Sequence, residues 1–163
     1  MEGILRTMTS VYLSRDDGCM LLLYRVGSRV VSPSWCGIGG HFEKDELNDA
    51  RACALRELRE EIGICEDDLA DFRLRSVTLR LKNGEIRQNY YFFADLRLGA
   101  AVYPVCEEGT LAWIPRGEVL KKEMPFTAKY VLEHYITVGE HSSALYGGFA
   151  SEEGVSFTAL AEF

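Results

Sequence analysis

Short apolar runs alternate with polar punctuation along the chain, and that rhythm predicts its elements. Residues 7–13 (TMTSVYL) read as a strand, followed by a turn at Arg15-Asp16-Asp17-Gly18, where Asp-Gly is a hairpin signal. Residues 19–24 (CMLLLY) are continuously apolar, the pattern of a strand covered on both faces. A polar segment with Gly27, Ser28, Ser32 and Pro33 loops to Trp35, and 35–38 is a short strand entering Gly39-Gly40. After an acidic loop, Asn48 or Asp49 can cap a helix on which Leu55, Leu58 and Ile62 recur at helical spacing, and Gly63 suits the position just past its end. Residues 66–69 read as a turn of helix or a loop. Residues 74–81 and 85–96 read as two strands joined by a type I′ turn at Asn83-Gly84. A strand over 109–115, a short helix over 116–122 and a helix opened by Pro125 and running to about 135 follow. The tail reads as a hairpin, 144–150 against 155–163 around Ser151-Glu152-Glu153-Gly154.

Strands and helices mix without regular βαβ alternation, which predicts a mixed sheet with helices on its faces rather than a doubly wound parallel sheet. The 163 residues show no repeat or low-complexity linker, so one domain with a real core is expected. The longest apolar runs, such as 19–23, fall far short of a membrane span, and the N-terminus lacks the pattern of a secretory signal. The expected setting is the cytoplasm, with no membrane partner. A net charge of −7 argues against binding to nucleic-acid backbones, which asks for a basic face. It leaves room for a nucleotide ligand, because a metal supplies positive charge locally. Five widely spaced cysteines without a C-x-x-C pair read as free thiols in a reducing compartment.

The chemistry concentrates on the helix ending at Gly63. Glu57, Glu60 and Glu61 fall within an arc of ~100°, adjoining the face that carries Leu55, Leu58 and Ile62. The helix is therefore expected to be half anchored in a core and half presented as a carboxylate surface. Like charges at this density repel, and hard oxygen donors of this kind suit Mg²⁺, with Mn²⁺ as an alternative. Arg56, one turn before Glu60, has the planar fork to hold a carboxylate in place. An E-x-x-E-E run alone reads as a solvated helix face. Here it is joined to Gly39-Gly40, Glu43 and Glu46 upstream and Gly63 downstream, and the combination is far more specific than any part.

The segment resembles the signature of the Nudix (MutT-type) hydrolases, G-x5-E-x7-R-E-U-x-E-E-x-G-U with U a bulky aliphatic. Residues 56–64 (RELREEIGI) match all of its second half, and Gly40 and Glu46 match the first in spacing. Nine residues rather than seven separate Glu46 from Arg56, and Asp45 stands where many members have glycine. The resemblance implies a Nudix-like α/β/α sandwich (α+β, mixed sheet flanked by helices), with a core over about 7–135 and the final hairpin as an extension, 136–163. It also implies Mg²⁺-dependent hydrolysis of a nucleoside diphosphate linked to a group X, with a small-molecule nucleotide as substrate. Glu57, Glu60, Glu61 and the Gly39 carbonyl would be metal ligands, with one carboxylate a candidate general base. Arg56 would support them, and Gly40, Glu43 and Glu46 would shape the loop.

Outside this segment, Glu108 lies five residues before Trp113, a spacing that in several relatives brings an acid to the metals. Arg25 looks like an arginine many relatives carry, and the loop holding Met124 and Phe126 resembles their base-contacting region. Arg80, Arg87, Gln88 and Asn89 are candidates to reach phosphates, but strand alternation sends neighbours to opposite faces, so not all can. Three functions are carried forward. The first is hydrolysis of a nucleoside triphosphate or related nucleotide, an oxidised one included. The second is hydrolysis of ADP-ribose or a nucleotide sugar. The third is ligand sensing without catalysis, against which stands the retention of all three carboxylates. The final hairpin either covers a domain edge or pairs with a second subunit in a homodimer.

Overall fold

A computed structural model describes residues 3–26, 32–104 and 109–161. Its strands are β1 (Ile4–Ser14), β2 (Cys19–Arg25), β3 (Ser34–Cys36), β4 (Leu69–Lys82), β5 (Glu85–Leu96), β6 (Gly109–Pro115), β7 (Tyr146–Ala150) and β8 (Val155–Ala159). Its α-helices are α1 (Ala50–Ile62), α2 (Arg116–Val119) and α3 (Phe126–Thr137). One sheet runs in the order β3-β2-β1-β5-β4-β7-β8, with β6 paired to β2. β1 is parallel to β5 and β4 to β7, while the other pairings are antiparallel, so the sheet is mixed as expected.

Alternation along the strands divides the core in two. Val11, Leu13, Leu21 and Leu23 face α1, meeting Ala54, Leu58 and Ile62. Tyr12, Met20 and Leu22 face the other way and pack with Val119 of α2 and with Ala128, Val131 and Leu132 of α3. The apolar run of β2 thus serves both layers, and each fully buried Leu or Ile contributes about 2 kcal/mol. Asp49 caps α1 by accepting from the Ala52 amide at 2.9 Å, and Gly63 ends it in the left-handed region at φ 72°. Asn83 (φ 53°) and Gly84 (φ 75°) both take the positive φ of a type I′ turn. β1, β4 and α3 extend beyond their expected bounds, and α2 stops three residues short.

The final hairpin joins the main sheet. β7 lies parallel to β4, from Ser76 opposite Tyr146 to Arg80 opposite Ala150. His134 of α3 stacks on Phe157 with ring centroids 4.2 Å apart, tying the hairpin to the helix layer. Among the described residues no helix is long and apolar enough to cross a membrane, and Cys19, Cys53 and Cys65 are free thiols.

Candidate active site

The glycine pair is pressed onto β1. The Thr9 amide donates to the Gly40 carbonyl at 2.9 Å. Gly39 sits at φ 151°, where an added Cβ would run into the Thr9 carbonyl. Beyond it, a 3₁₀ turn over Lys44–Glu46 delivers Glu46, whose carboxylate accepts from the Glu43 amide at 2.9 Å. The chain turns again at Leu47 and Asn48, with Leu47 exposed, before α1 begins. The longer connection does not separate Glu46 from α1. Arg56 grips it with both edges of its fork, Nε to Oε1 at 2.7 Å and Nη2 to Oε2 at 3.0 Å.

Arg56 also donates from Nη1 to Glu57 Oε1 at 2.8 Å and to Glu60 Oε2 at 3.0 Å, and from Nη2 to the His41 carbonyl at 3.1 Å. The Glu46 carboxylate above all, and then Glu57 and Glu60, raise the Arg56 pKa further above its ordinary value. The same contact holds the Glu46 carboxyl down at about 2 despite its burial. Arg25, at the end of β2, reaches the same helix end. Its Nη2 donates to Glu61 Oε1 at 2.8 Å and lies 3.4 Å from the Gly39 carbonyl.

The expected carboxylate surface is corrected in one respect. Glu57 and Glu61 are buried, at 9% and 7% relative exposure, and of the three only Glu60 projects into solvent. The segment around Gly39-Gly40 covers the helix end, and a Cβ on Gly40 would stand 2.5 Å from Glu57 Oε1. Burial raises the Glu57 carboxyl pKa, an effect that Arg56 offsets only in part. Each of the three carboxylates is engaged by an arginine, and among the described residues no group of three Asp, Glu, His or Cys side chains converges as a ready metal cage. Glu108 lies outside the described residues.

A cavity of about 540 Å³ opens beside the glycine pair, bounded by Gly39, Gly40 and Arg25 at one end. Its floor is one face of β1, β5 and β4. Register brings Met8, Asn89 and Thr78 side by side there, and likewise Arg6, Arg87 and Arg80. Gln88 pairs with Thr7 and Leu79 in the alternate row, so its side chain points to the opposite face. From the start of α3, its N-cap Pro125 and its first-turn residues Thr127 and Ala128 line the cavity. Met124 packs against the α3-side core instead, and Phe126 lies on Tyr130 at 5.1 Å between centroids and under the Arg80 guanidinium. Sequence reasoning missed Arg6, because only the parallel pairing of β1 with β5 brings it beside Arg87.

Fold and site together define a class: a mixed-sheet α+β protein in which a glycine pair lines a cavity and has a carboxylate-bearing helix end packed against it. The chain belongs to the Nudix hydrolase family, the NUDIX domain profile matching residues 5–135. A search of curated proteins returned no match. Among solved structures, a mutator MutT protein from Bacillus halodurans is similar with a TM-score of 0.68 at 22% identity, over 94% of this chain and 97% of that one. A MutT protein from Methanosarcina mazei Go1 gives 0.69 at 20%, over 84% and 96%. An Ap4A hydrolase from C. elegans gives 0.67 at 18%, over 85% and 99%. Nudix hydrolases as a family act on small nucleotide substrates and generally use divalent metals.

Proposed function

We propose that this chain is a Mg²⁺-dependent pyrophosphohydrolase that cleaves the diphosphate of a nucleoside triphosphate or a related nucleoside diphosphate linked to X. The observation that carries the reading is that Glu57 lies against Gly40, and Glu61 is held by the arginine that lies beside the Gly39 carbonyl, where Gly39, Gly40 and Arg25 themselves line a nucleotide-sized cavity. The residues fit a hard divalent ion. All candidate donors are oxygens, and Glu57 is a desolvated acid whose ionised form an added cation would favour. The Gly39 carbonyl, Glu57, Glu60 and Glu61 would hold Mg²⁺, or Mn²⁺ in its place. Such an ion, when bound, shields the diphosphate oxygens and lowers the pKa of water.

The chain's own residues supply the rest. Arg56 fixes the rotamers of Glu57 and Glu60 and ties them to Glu46, while Arg25 fixes Glu61. Glu57, Glu60 and Glu61 are the candidate proton acceptors for an attacking water. Arg25, beside Gly39, offers a donor to the diphosphate oxygens, and Arg87, farther along the cavity floor, offers one to the rest of the substrate. The test is a turnover panel with Mg²⁺ containing NTPs, dNTPs, oxidised dGTP, ADP-ribose, a nucleotide sugar and Ap4A, the last being the substrate named for the C. elegans protein. Release of phosphate and pyrophosphate is followed. Glu60→Gln and Glu61→Gln are expected to cut the rate by orders of magnitude with the fold intact. Absence of turnover on every diphosphate compound rejects the enzyme reading in favour of sensing.

A further inference from the structure

The positive charge of the cavity is concentrated away from the carboxylate helix. Arg6 pairs in register with Arg87 across β1 and β5, and Arg87 with Arg80 across β5 and β4. The three guanidiniums therefore rise from one transverse row on one face of the sheet, and all three line the cavity. Three like charges on adjacent strands are unfavourable unless something negative meets them. Glu85 supplies part of that. It accepts from Arg6 Nε at 2.7 Å and from Arg87 Nη2 at 3.2 Å. Among the described residues no carboxylate pairs with Arg80, whose guanidinium lies 4.7 Å from the Phe126 ring centroid. The row thus keeps a surplus of positive charge in a chain whose net charge is −7.

The row also has a defined distance from the chemistry. Gly39 lies against Thr9 and Ser10 of β1, and Arg6 stands three to four residues back along the same strand. At the rise of a strand that is roughly 10–13 Å. Between the two lies Asn89, whose Nδ2 donates to the Tyr91 hydroxyl at 3.1 Å while its buried Oδ1 has no partner among the described residues. The arginine row therefore stands apart from the glycine pair along the cavity floor. A single nucleoside triphosphate, with its charge all at the diphosphate end, leaves that row unmatched.

We infer that the substrate carries a second anionic group, a phosphate borne on the nucleoside or on X, which the row Arg6, Arg87 and Arg80 receives roughly 10–13 Å from the scissile diphosphate. This rests on the reading of the site as a Nudix diphosphate hydrolase and narrows its substrate class. Arginine forks suit phosphate oxygens, and their charge is less screened inside a cleft than at an open surface.

The test compares ligand pairs that differ by one ribose phosphate: adenosine 3′,5′-bisphosphate against AMP, coenzyme A against dephospho-coenzyme A, and NADP against NAD. Affinities are measured calorimetrically on the full chain in EDTA, so the outcome does not depend on turnover. The phosphorylated member of at least one pair is expected to bind at least tenfold more tightly. That ratio should shrink as salt rises and fall to within threefold of unity in Arg80→Gln and Arg87→Gln, with thermal unfolding confirming that both variants are folded. Ratios within twofold of unity for all three pairs in the unaltered protein overturn the inference, as does a large ratio that survives both substitutions. A preference that follows the base and not the added phosphate also overturns it. Failure to hydrolyse any diphosphate with Mg²⁺ rejects the enzyme reading alone, because the binding ratios are read separately.

Discussion

Arg56 holds Glu46 through a two-pronged contact, Nε to Oε1 at 2.7 Å and Nη2 to Oε2 at 3.0 Å, across a connection two residues longer than the family spacing. Glu46 is 7% exposed, so it depends on that fork. Lysine keeps the charge but offers a point donor in place of the planar pair. Arg56→Lys is expected to lower the unfolding free energy by about 2–4 kcal/mol, near the range for breaking a buried ion pair. Urea unfolding would show this as a lower midpoint with unchanged slope. A midpoint equal to that of the unaltered protein would remove the structural weight placed on the contact.

The same pair sets a pH dependence. The Glu46 carboxyl, held at about 2 in the folded chain chiefly by Arg56, returns to about 4.3 on unfolding. A depressed folded pKa contributes stability that is complete above the unfolded value and lost as pH falls through the folded one. Acid unfolding of the native chain should therefore include a component between about pH 4.5 and 2. Glu46→Gln should lack it, its stability being lower at neutral pH and falling less steeply through that window. Parallel stability curves for the two proteins would contradict the assignment.

Gly39 and Gly40 should respond differently to alanine. At Gly39 the obstacle is the Thr9 backbone carbonyl and φ is 151°, so neither side gives way. Gly39→Ala is expected to cost more than about 2 kcal/mol of stability. At Gly40 the obstacle is the carboxylate of Glu57 at 2.5 Å, the far end of a flexible side chain. Gly40→Ala should unfold within a few degrees of the unaltered protein yet lose most of its turnover, because the displaced group belongs to the proposed metal-holding set. Melting curves alongside steady-state rates separate the two behaviours.

Thiol reactivity offers a check on the packing of α1. Cys53 is fully buried, its Sγ 3.5 Å from Thr9 Oγ1, and burial pushes its thiol pKa up to about 11. Cys65, just past the helix, is exposed. Brief maleimide treatment near neutral pH should label Cys65 in the folded protein, while Cys53 reacts only after denaturant is added. Peptide mass spectrometry distinguishes them, and early labelling of Cys53 would mean that α1 does not sit as described.

The parts of the molecule read correctly from sequence are those fixed by local chemistry. Asp49 and Gly63 bracket α1 because a carboxylate cap and a left-handed glycine act within one turn, and Asn83-Gly84 forces its hairpin for the same reason. The parts that escaped depend on partners distant in the chain. The bidentate contact of Glu46 with Arg56 turns on how the intervening loop folds back, which residue spacing alone does not settle. A helical wheel placed Glu57 and Glu61 on an open face because it has no knowledge of Gly40 lying against Glu57 or of Arg25 reaching Glu61. Arg6 joins Arg87 only through a parallel pairing, and β7 finds β4 the same way. Met124 and Phe126 stand out in the sequence for their place at the start of α3, and the cavity is lined there by their neighbours Pro125 and Thr127.

The engagement of every proposed metal ligand side chain by Arg25 or Arg56 bears on how the protein is made and maintained. With guanidinium groups already countering the repulsion at the helix end, the fold is expected to keep its melting temperature in EDTA. On the proposed function, an incoming ion would compete with guanidinium groups already in place. Activity would follow the free concentration of divalent ion in the surroundings, while abundance of the folded protein would not.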